Sequence, residues 1–128
     1  MKDLRKHVYE LYAGGLCCSQ VVMEIVGLSA RGEEDPEMIR ALGGLGYGTY
    51  AQLTCGALTG GACALALYAE DRAQARELIN DLTSWFEAEY GTCSCKEILG
   101  CGAPSISGCK DIVIATVERC LEILEAKL

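Results

Sequence analysis

The chain has 128 residues, of which 51% are hydrophobic and 23% charged, with a formal net charge of −7. This length suits one domain spanning residues 1–128, and the balance of apolar and charged residues is typical of a folded chain. The acidic excess argues against binding to a nucleic-acid backbone and against attraction to an anionic membrane surface. The N-terminal residues do not resemble a signal peptide, so a cytoplasmic location is expected.

Helical periodicity dominates the first half of the chain. Apolar spacing predicts a first helix over residues 2–12, which a Gly-Gly pair ends. A second helix is expected over residues 18–26, closed by Gly27. A third begins with Asp35 as its N-cap, followed by a proline at the first helical position. It gives way to residues 43–48, a segment too rich in glycine for regular structure.

The middle of the chain predicts a central helix. Residues 55–70 are apolar nearly all round, as expected of a helix that is buried on every side. Gly56 and Gly60 lie four residues apart and therefore share a face of this helix. Glycine costs about 1 kcal/mol relative to alanine inside a helix. Two glycines on one face indicate that a neighbouring backbone or a cofactor approaches closely.

The last third continues the helical pattern. A long amphipathic helix over residues 71–90, a short turn capped by Ser94 and a last helix from about residue 109 are expected. No stretch alternates cleanly enough for a strand, and no linker divides the chain. The sequence therefore predicts an all-α fold, a single compact helical bundle with about four main helices plus shorter helices. The most apolar stretch is shorter than the about 20 residues that a membrane span needs. The high apolar fraction leaves a homodimer open.

Cysteine is the residue type that carries the chemistry. Nine cysteines are many for a chain of this length, and an odd number without an export signal argues against a secreted disulfide scaffold. In a reducing compartment such enrichment indicates metal ligation or thiol redox chemistry. No C-x-x-C and no C-x-x-C-H occurs, so zinc knuckles, a thioredoxin-type pair and covalent haem attachment are not indicated.

Four cysteines recur at the starts of predicted helices: Cys18, Cys55, Cys95 and Cys109. Free backbone N–H groups and the positive end of the helix dipole stabilise a thiolate at such a position. We therefore expect their pKa values to lie below the usual value of about 8.5. The same N–H groups are suited to donate to the sulfur atoms of an iron–sulfur cluster. Four helices that each deliver one thiolate to a common point would form one site.

The remaining cysteines leave alternatives open. Cys17 and Cys93 flank proposed ligands and could replace them. A local quartet of Cys93, Cys95, Cys101 and Cys109 is a second candidate site, although its spacing matches no two-cluster ferredoxin. Cys63 and Cys120 fall inside predicted helices, where packing in the core is the expected role.

The segment Cys55-Gly56-Ala57-Leu58-Thr59-Gly60 resembles a known family, the redox-active proteins named for the pattern C, GCAxxG, C, C. Cys18-Ser19-Gln20 is similar to the first element of that family, and the segments that begin at Cys95 and Cys109 are similar to its third and fourth. The family looks related to the iron–sulfur module of split-Soret cytochromes. This resemblance implies that Cys18, Cys55, Cys95 and Cys109 are cluster ligands. The haem function does not carry over, because the chain lacks an attachment motif.

Three functions follow from these residues. The first is a redox protein that binds an iron–sulfur cluster, [2Fe–2S] or [4Fe–4S], through four thiolates and transfers electrons to an unknown partner protein. The second is a metal-free thiol–disulfide oxidoreductase or redox sensor that uses helix-start thiols. The third is a structural zinc site, since four thiolates also suit tetrahedral Zn²⁺.

Overall fold

The structure, a computed structural model, describes residues 3–99 and 106–128. Helices account for most of these residues, and no strand occurs among them, so the all-α prediction is confirmed. Only an isolated bridge joins Thr54 to Ser94. The α-helices are α1 Leu4–Ala13, α2 Cys18–Val22, α3 Pro36–Leu42, α4 Gly56–Ala66, α5 Arg72–Tyr90, α6 Cys95–Leu99 and α7 Ile106–Lys127. Within the described ranges, no helix combines the length and apolarity needed to cross a bilayer.

Local capping signals set several helix boundaries as predicted. The Asp35 carboxylate accepts a hydrogen bond from the Met38 N–H at 3.1 Å and begins α3. The Asp71 carboxylate does the same for the Gln74 N–H at 2.8 Å and begins α5. Gly91 ends α5 in the left-handed region, with φ of 74°. These contacts satisfy backbone groups that a helix end would otherwise leave without partners.

The prediction that Gly27 closes the second helix is wrong. The chain continues from α2 through a π-helical turn, Met23–Leu28, and a 3₁₀ turn, Ser29–Arg31, and stops at Gly32 with φ of 68°. Gly27 is buried inside this extension, where a Cβ atom would collide with the Met23 side chain and lie 3.3 Å from Leu67. Gly27 therefore permits close packing and does not end the helix.

Helix α4 lies at the centre of the molecule, as its apolar sequence predicts. It packs against α2, α5 and α7. A Cβ atom on Gly60 would lie 2.6 Å from the Ser19 carbonyl oxygen and 2.9 Å from its Cα. The backbones of α2 and α4 therefore touch at this point, and the close approach inferred from the spacing of the two glycines is confirmed. The Ser19 hydroxyl is buried and donates to the Leu42 carbonyl at 2.7 Å, which fixes α3 to the same place.

The largest buried side chains form one core between the helices: Val8, Val21, Val22, Met23, Val26, Leu28, Leu65, Leu78, Leu82, Phe86, Val113 and Ile123. One expectation at this level is wrong, because Cys63 is exposed on α4 rather than packed in the core.

The segment before α4 forms a left-handed turn. Tyr47, Gly48, Thr49 and Tyr50 have φ between 51° and 59°, and the Leu53 N–H donates to the Gly48 carbonyl at 3.1 Å. For residues other than glycine this region costs roughly 1–2 kcal/mol per residue. The segment 43–48, predicted to lack regular structure, thus contains a 3₁₀ turn, Gly43–Leu45, and the start of this left-handed turn. The strain of the left-handed turn lies next to the cysteines described below.

Candidate metal centre

The predicted ligands lie at or near helix starts. Cys18 is the first residue of α2, Cys55 is the N-cap of α4, and Cys95 is the first residue of α6. Cys109 lies in the first turn of α7, which begins at Ile106. The helix-start placement inferred from glycine and capping residues therefore holds for all four.

All four of these cysteines line a single cavity of about 820 Å³, together with Cys17. They come from segments that are 14 to 40 residues apart in the chain, so only the tertiary fold brings them together. The other lining residues are largely apolar and come from α1, α4, α6, α7 and Tyr47, with the charged side chains of Lys6, Glu10 and Lys110 also present. A cavity of this size is able to hold a cofactor.

A short backbone pairing places Cys55 beside Cys95. The Cys55 N–H donates to the Cys93 carbonyl at 2.8 Å, and the Cys95 N–H donates to the Leu53 carbonyl. These two hydrogen bonds flank the Thr54–Ser94 bridge. The start of α4 is thereby tied to the start of α6. The Ser94 hydroxyl also accepts from the Glu97 N–H at 3.3 Å, as the predicted cap requires.

Gly56 allows Cys18 to approach α4. A Cβ atom at residue 56 would lie 2.5 Å from Cys18 Sγ and 2.9 Å from the Leu45 carbonyl oxygen. The backbone N–H of Tyr47 also hydrogen-bonds to the Cys18 thiol. Contacts from α4 and from the left-handed turn therefore fix the position of the Cys18 sulfur.

Convergence in one cavity does not amount to a site for a single ion. Among residues 3–99 and 106–128, no group of three or more His, Cys, Asp or Glu side chains is close enough to hold one metal ion. A tetrahedral zinc site would need four sulfur atoms roughly 3.8 Å apart, given Zn–S distances near 2.3 Å.

The expectation of lowered thiol pKa values is wrong for all four predicted ligands. The hydrogen bond with Cys17 is the main cause that raises the pKa of Cys18, and burial raises it further. Burial is the main cause that raises the pKa of Cys55 and Cys95. Burial raises the pKa of Cys109 to about 11. The N–H groups of Ala57 and Leu58 do act on Cys55 in the predicted direction. Loss of hydration outweighs them, because an apolar cavity disfavours the thiolate.

Cys17 is the cysteine whose pKa is lowered at a helix start, the effect that was predicted for the four ligands. Hydrogen bonds from the Cys18 thiol, from the Ser19 hydroxyl and from backbone N–H groups of α2 lower its pKa, against the opposing effect of burial. It is the N-cap of α2, and its own N–H donates to Gln20 Oε1 at 3.0 Å. The sequence signal was present: a glutamine three residues after an N-cap is typical of a capping box.

Tyr12, which the sequence did not single out, also lines this cavity. Its hydroxyl oxygen is buried, and no hydrogen-bond partner occurs for it among the described residues. Burial, followed by the charges of nearby thiolates (Cys18 first, then Cys109), raises its pKa. The Lys110 ammonium lies 5.5 Å from the centre of the Tyr12 ring and 4.3 Å from that of Tyr9.

Cys93 and Cys120 are not among the residues that line this cavity. The Cys93 thiol donates to Glu87 Oε1 at 3.6 Å. Cys120 is buried in the core near Gly61, where a Cβ atom would lie 3.2 Å from its sulfur. Cys101, a member of the alternative quartet, lies outside the described residues, so the quartet stays a prediction.

A family model described as "Putative redox-active protein (C_GCAxxG_C_C)" matches residues 16–123. The chain belongs to this family. No curated protein and no solved structure matched the chain. The matched range contains all four predicted ligands and the whole cavity except the part contributed by α1.

The family's central motif has a physical explanation in this chain. The family pattern is G-C-A-x-x-G, whereas the order here is Cys55-Gly56-Ala57, with Gly60 three residues further on. Gly60 admits the backbone of Ser19, and Gly56 admits the Cys18 sulfur. The motif therefore packs the helix that carries the first cysteine against the helix that carries the second. The family's description supports redox activity and leaves the cofactor unspecified.

Proposed function

We propose that this protein transfers electrons through an iron–sulfur cluster held by Cys18, Cys55, Cys95 and Cys109. The observation that supports this function is the convergence of these four thiols, from four separate segments, on one apolar cavity. Four cysteine thiolates are the usual ligand set of both [2Fe–2S] and [4Fe–4S] clusters. Membership in a family described as redox-active agrees with this chemistry.

The spacing of the thiols favours a cluster over a single zinc ion. No three potential ligands in the described part of the chain converge on one point, as one ion would require. In a [4Fe–4S] cluster each thiolate binds a different iron, and in a [2Fe–2S] cluster two pairs of thiolates bind separate irons, so the four sulfur atoms as a set stand farther apart than around zinc. The cavity of about 820 Å³ leaves room for a group of several atoms.

The surroundings of the thiols suit a redox centre. Backbone N–H groups of Ala57 and Leu58 act on Cys55, and that of Tyr47 acts on Cys18. Hydrogen bonds to sulfur and the exclusion of solvent are the protein's means of setting a cluster potential. Because burial raises the pKa of the free thiols, ligation has to displace their protons, and loading should weaken as the pH falls.

Anaerobic loading with iron and sulfide tests this function. The expected result is a brown protein with visible charge-transfer absorption that bleaches on reduction with dithionite, and with iron and acid-labile sulfide in equal amounts. A protein that stays colourless and free of iron would contradict the proposal. Colourless protein that contains one zinc per chain would favour the structural-zinc alternative.

A second function, thiol–disulfide exchange, is favoured by one specific observation. The lowered pKa of Cys17 makes its thiolate available as a nucleophile near neutral pH. It would attack a partner disulfide to form a mixed disulfide, and Cys18 would then release the reduced partner. The resulting vicinal disulfide is strained and so easily reduced. This function predicts metal-free protein in which iodoacetamide labels Cys17 first at pH 6, identified by peptide mapping.

A further inference from the structure

The hydroxyl group of Tyr12 is the unexplained polar atom of the cavity. Tyr12 lies in the last turn of α1, and its hydroxyl oxygen is buried without a hydrogen-bond partner in residues 3–99 and 106–128. A buried polar group left without a partner costs about 1–3 kcal/mol. Native proteins keep such a group when a water, an ion or a ligand supplies the missing partner.

This hydroxyl belongs to the residue that lines the cavity together with all four proposed ligands. Charge on Cys18, Cys109 or Cys55, three of those ligands, would act on it and raise its pKa further. A tyrosine ordinarily ionises near pH 10, so the hydroxyl carries its proton at neutral pH and is a donor. A thiol is a poor acceptor, whereas the thiolates and sulfides of a cluster carry negative charge and accept readily.

We propose that the Tyr12 hydroxyl donates a hydrogen bond to a sulfur atom of the cluster and thereby raises the cluster's reduction potential. This inference rests on the proposed function. A donor at sulfur stabilises the reduced, more negative state of a cluster more than the oxidised state. Tyr12 thus adjusts the reduction potential of the cluster and is not one of its ligands.

Tyr12→Phe tests the inference, because the substitution removes only the hydroxyl and keeps the ring against Lys110. The matched control is Tyr9→Phe, one turn earlier on α1, whose ring contacts the same ammonium group and whose side chain is 38% exposed. Both variants are loaded with iron and sulfide and titrated with dithionite under a redox mediator. The expected result is full loading of both, with a potential shifted to more negative values in Tyr12→Phe alone.

A second measurement, on the metal-free protein, separates this role from a structural one. Since the described part of the chain offers the hydroxyl no partner, Tyr12→Phe should unfold in urea at the same concentration as the unsubstituted protein or at a higher one. A lower unfolding midpoint would make the hydroxyl part of the apo fold and would overturn the inference.

The outcomes also separate this inference from the proposed function. Equal potentials in the loaded Tyr12→Phe and unsubstituted proteins overturn the inference alone, and so does a Tyr12→Phe protein that no longer takes up iron. Unsubstituted protein that takes up no iron overturns the proposed function and the inference together.

Discussion

Gly60 carries the closest contact between α2 and α4, since a Cβ atom there would lie 2.6 Å from the Ser19 carbonyl oxygen. Alanine usually stabilises a helix relative to glycine by about 1 kcal/mol. At this site the backbones would have to separate, and overpacking of this kind costs about 1–3 kcal/mol. We expect Gly60→Ala to lower the free energy of unfolding, measured by urea titration. Separation of α2 from α4 would also move Cys18 relative to Cys55.

The control for this substitution is Gly44→Ala. Gly44 is exposed in a 3₁₀ turn, Gly43–Leu45, and no heavy atom lies within 4 Å of the point that a Cβ atom would occupy there. Its substitution should leave the unfolding midpoint unchanged or raise it slightly. Equal effects of the two substitutions would contradict the close contact at Gly60.

The buried thiol of Cys120 lowers the free energy of unfolding as the pH becomes alkaline. Burial raises its pKa from 9.0 to about 12. Between those values the folded state keeps the proton that the unfolded state releases, so stability is complete below pH 9 and falls as the pH rises. The loss is at most about 1.4 kcal/mol per pH unit for one thiol. We expect the unfolding free energy of Cys120→Ala to fall less steeply between pH 9 and 11.

Cys63→Ala is the comparison for that experiment, because Cys63 is exposed on α4 and burial raises the pKa of its thiol less than that of Cys120. Its unfolding free energy should follow nearly the same alkaline decline as that of the unsubstituted protein. An unchanged slope in Cys120→Ala would show that this thiol is not protected from ionisation in the folded state.

Burial explains why the residue chemistry was only partly predictable. A cysteine's position at a helix start is a local property, and the sequence indicated it correctly for all four proposed ligands. The depth of each thiol below the surface depends on the whole fold. Burial, and for Cys18 first the hydrogen bond with Cys17, reverses the expected direction of their pKa shifts. The same limitation applies to Cys63, which a helical apolar pattern placed inside and the structure places outside.

At the scale of elements, the left-handed turn before α4 predicts an unusual response to glycine. Thr49 is β-branched and has φ of 55°, a conformation that such residues rarely adopt. Thr49→Gly removes this strain, worth roughly 1–2 kcal/mol, while the freer unfolded chain offsets about 0.4–1 kcal/mol of the gain. We expect urea unfolding to give an unchanged or slightly higher stability.

Thr83→Gly provides the matched contrast, because Thr83 lies inside α5. Glycine is the poorer helix former, so this substitution should lower the unfolding free energy. A Thr49→Gly protein destabilised as much as Thr83→Gly would contradict the strained turn.

Helix ends were predictable where a side chain caps its own helix, as with Asp35 and Asp71. They were not predictable where packing decided the matter. A glycine at residue 27 is typical of a helix end, yet the chain continues through it as a π-helical turn. The glycine is required there by packing, because a Cβ atom would meet the Met23 and Leu67 side chains. The left-handed turn was equally hidden, since Tyr47 and Tyr50 have no intrinsic preference for positive φ.

At the scale of the whole molecule, the fold class followed from helical periodicity, and the meeting of four cysteines followed from their shared setting and from the family pattern. The cavity did not. Its walls come from α1, α4, α6 and α7, and the Tyr12 hydroxyl, which has no partner among residues 3–99 and 106–128, could be recognised only in three dimensions. The single domain over residues 1–128, the local quartet that includes Cys101 and the homodimer stay predictions.

The central claim is that four particular thiols bind one cluster, and the iron content of single serine variants tests it most directly. Each of Cys18→Ser, Cys55→Ser, Cys95→Ser and Cys109→Ser should lose most of its iron and sulfide after anaerobic loading, because serine replaces a soft ligand by a hard one. Cys63→Ser, altered at an exposed thiol outside the cavity, should load fully. Full loading of any of the four, or an equal loss in Cys63→Ser, would contradict the account.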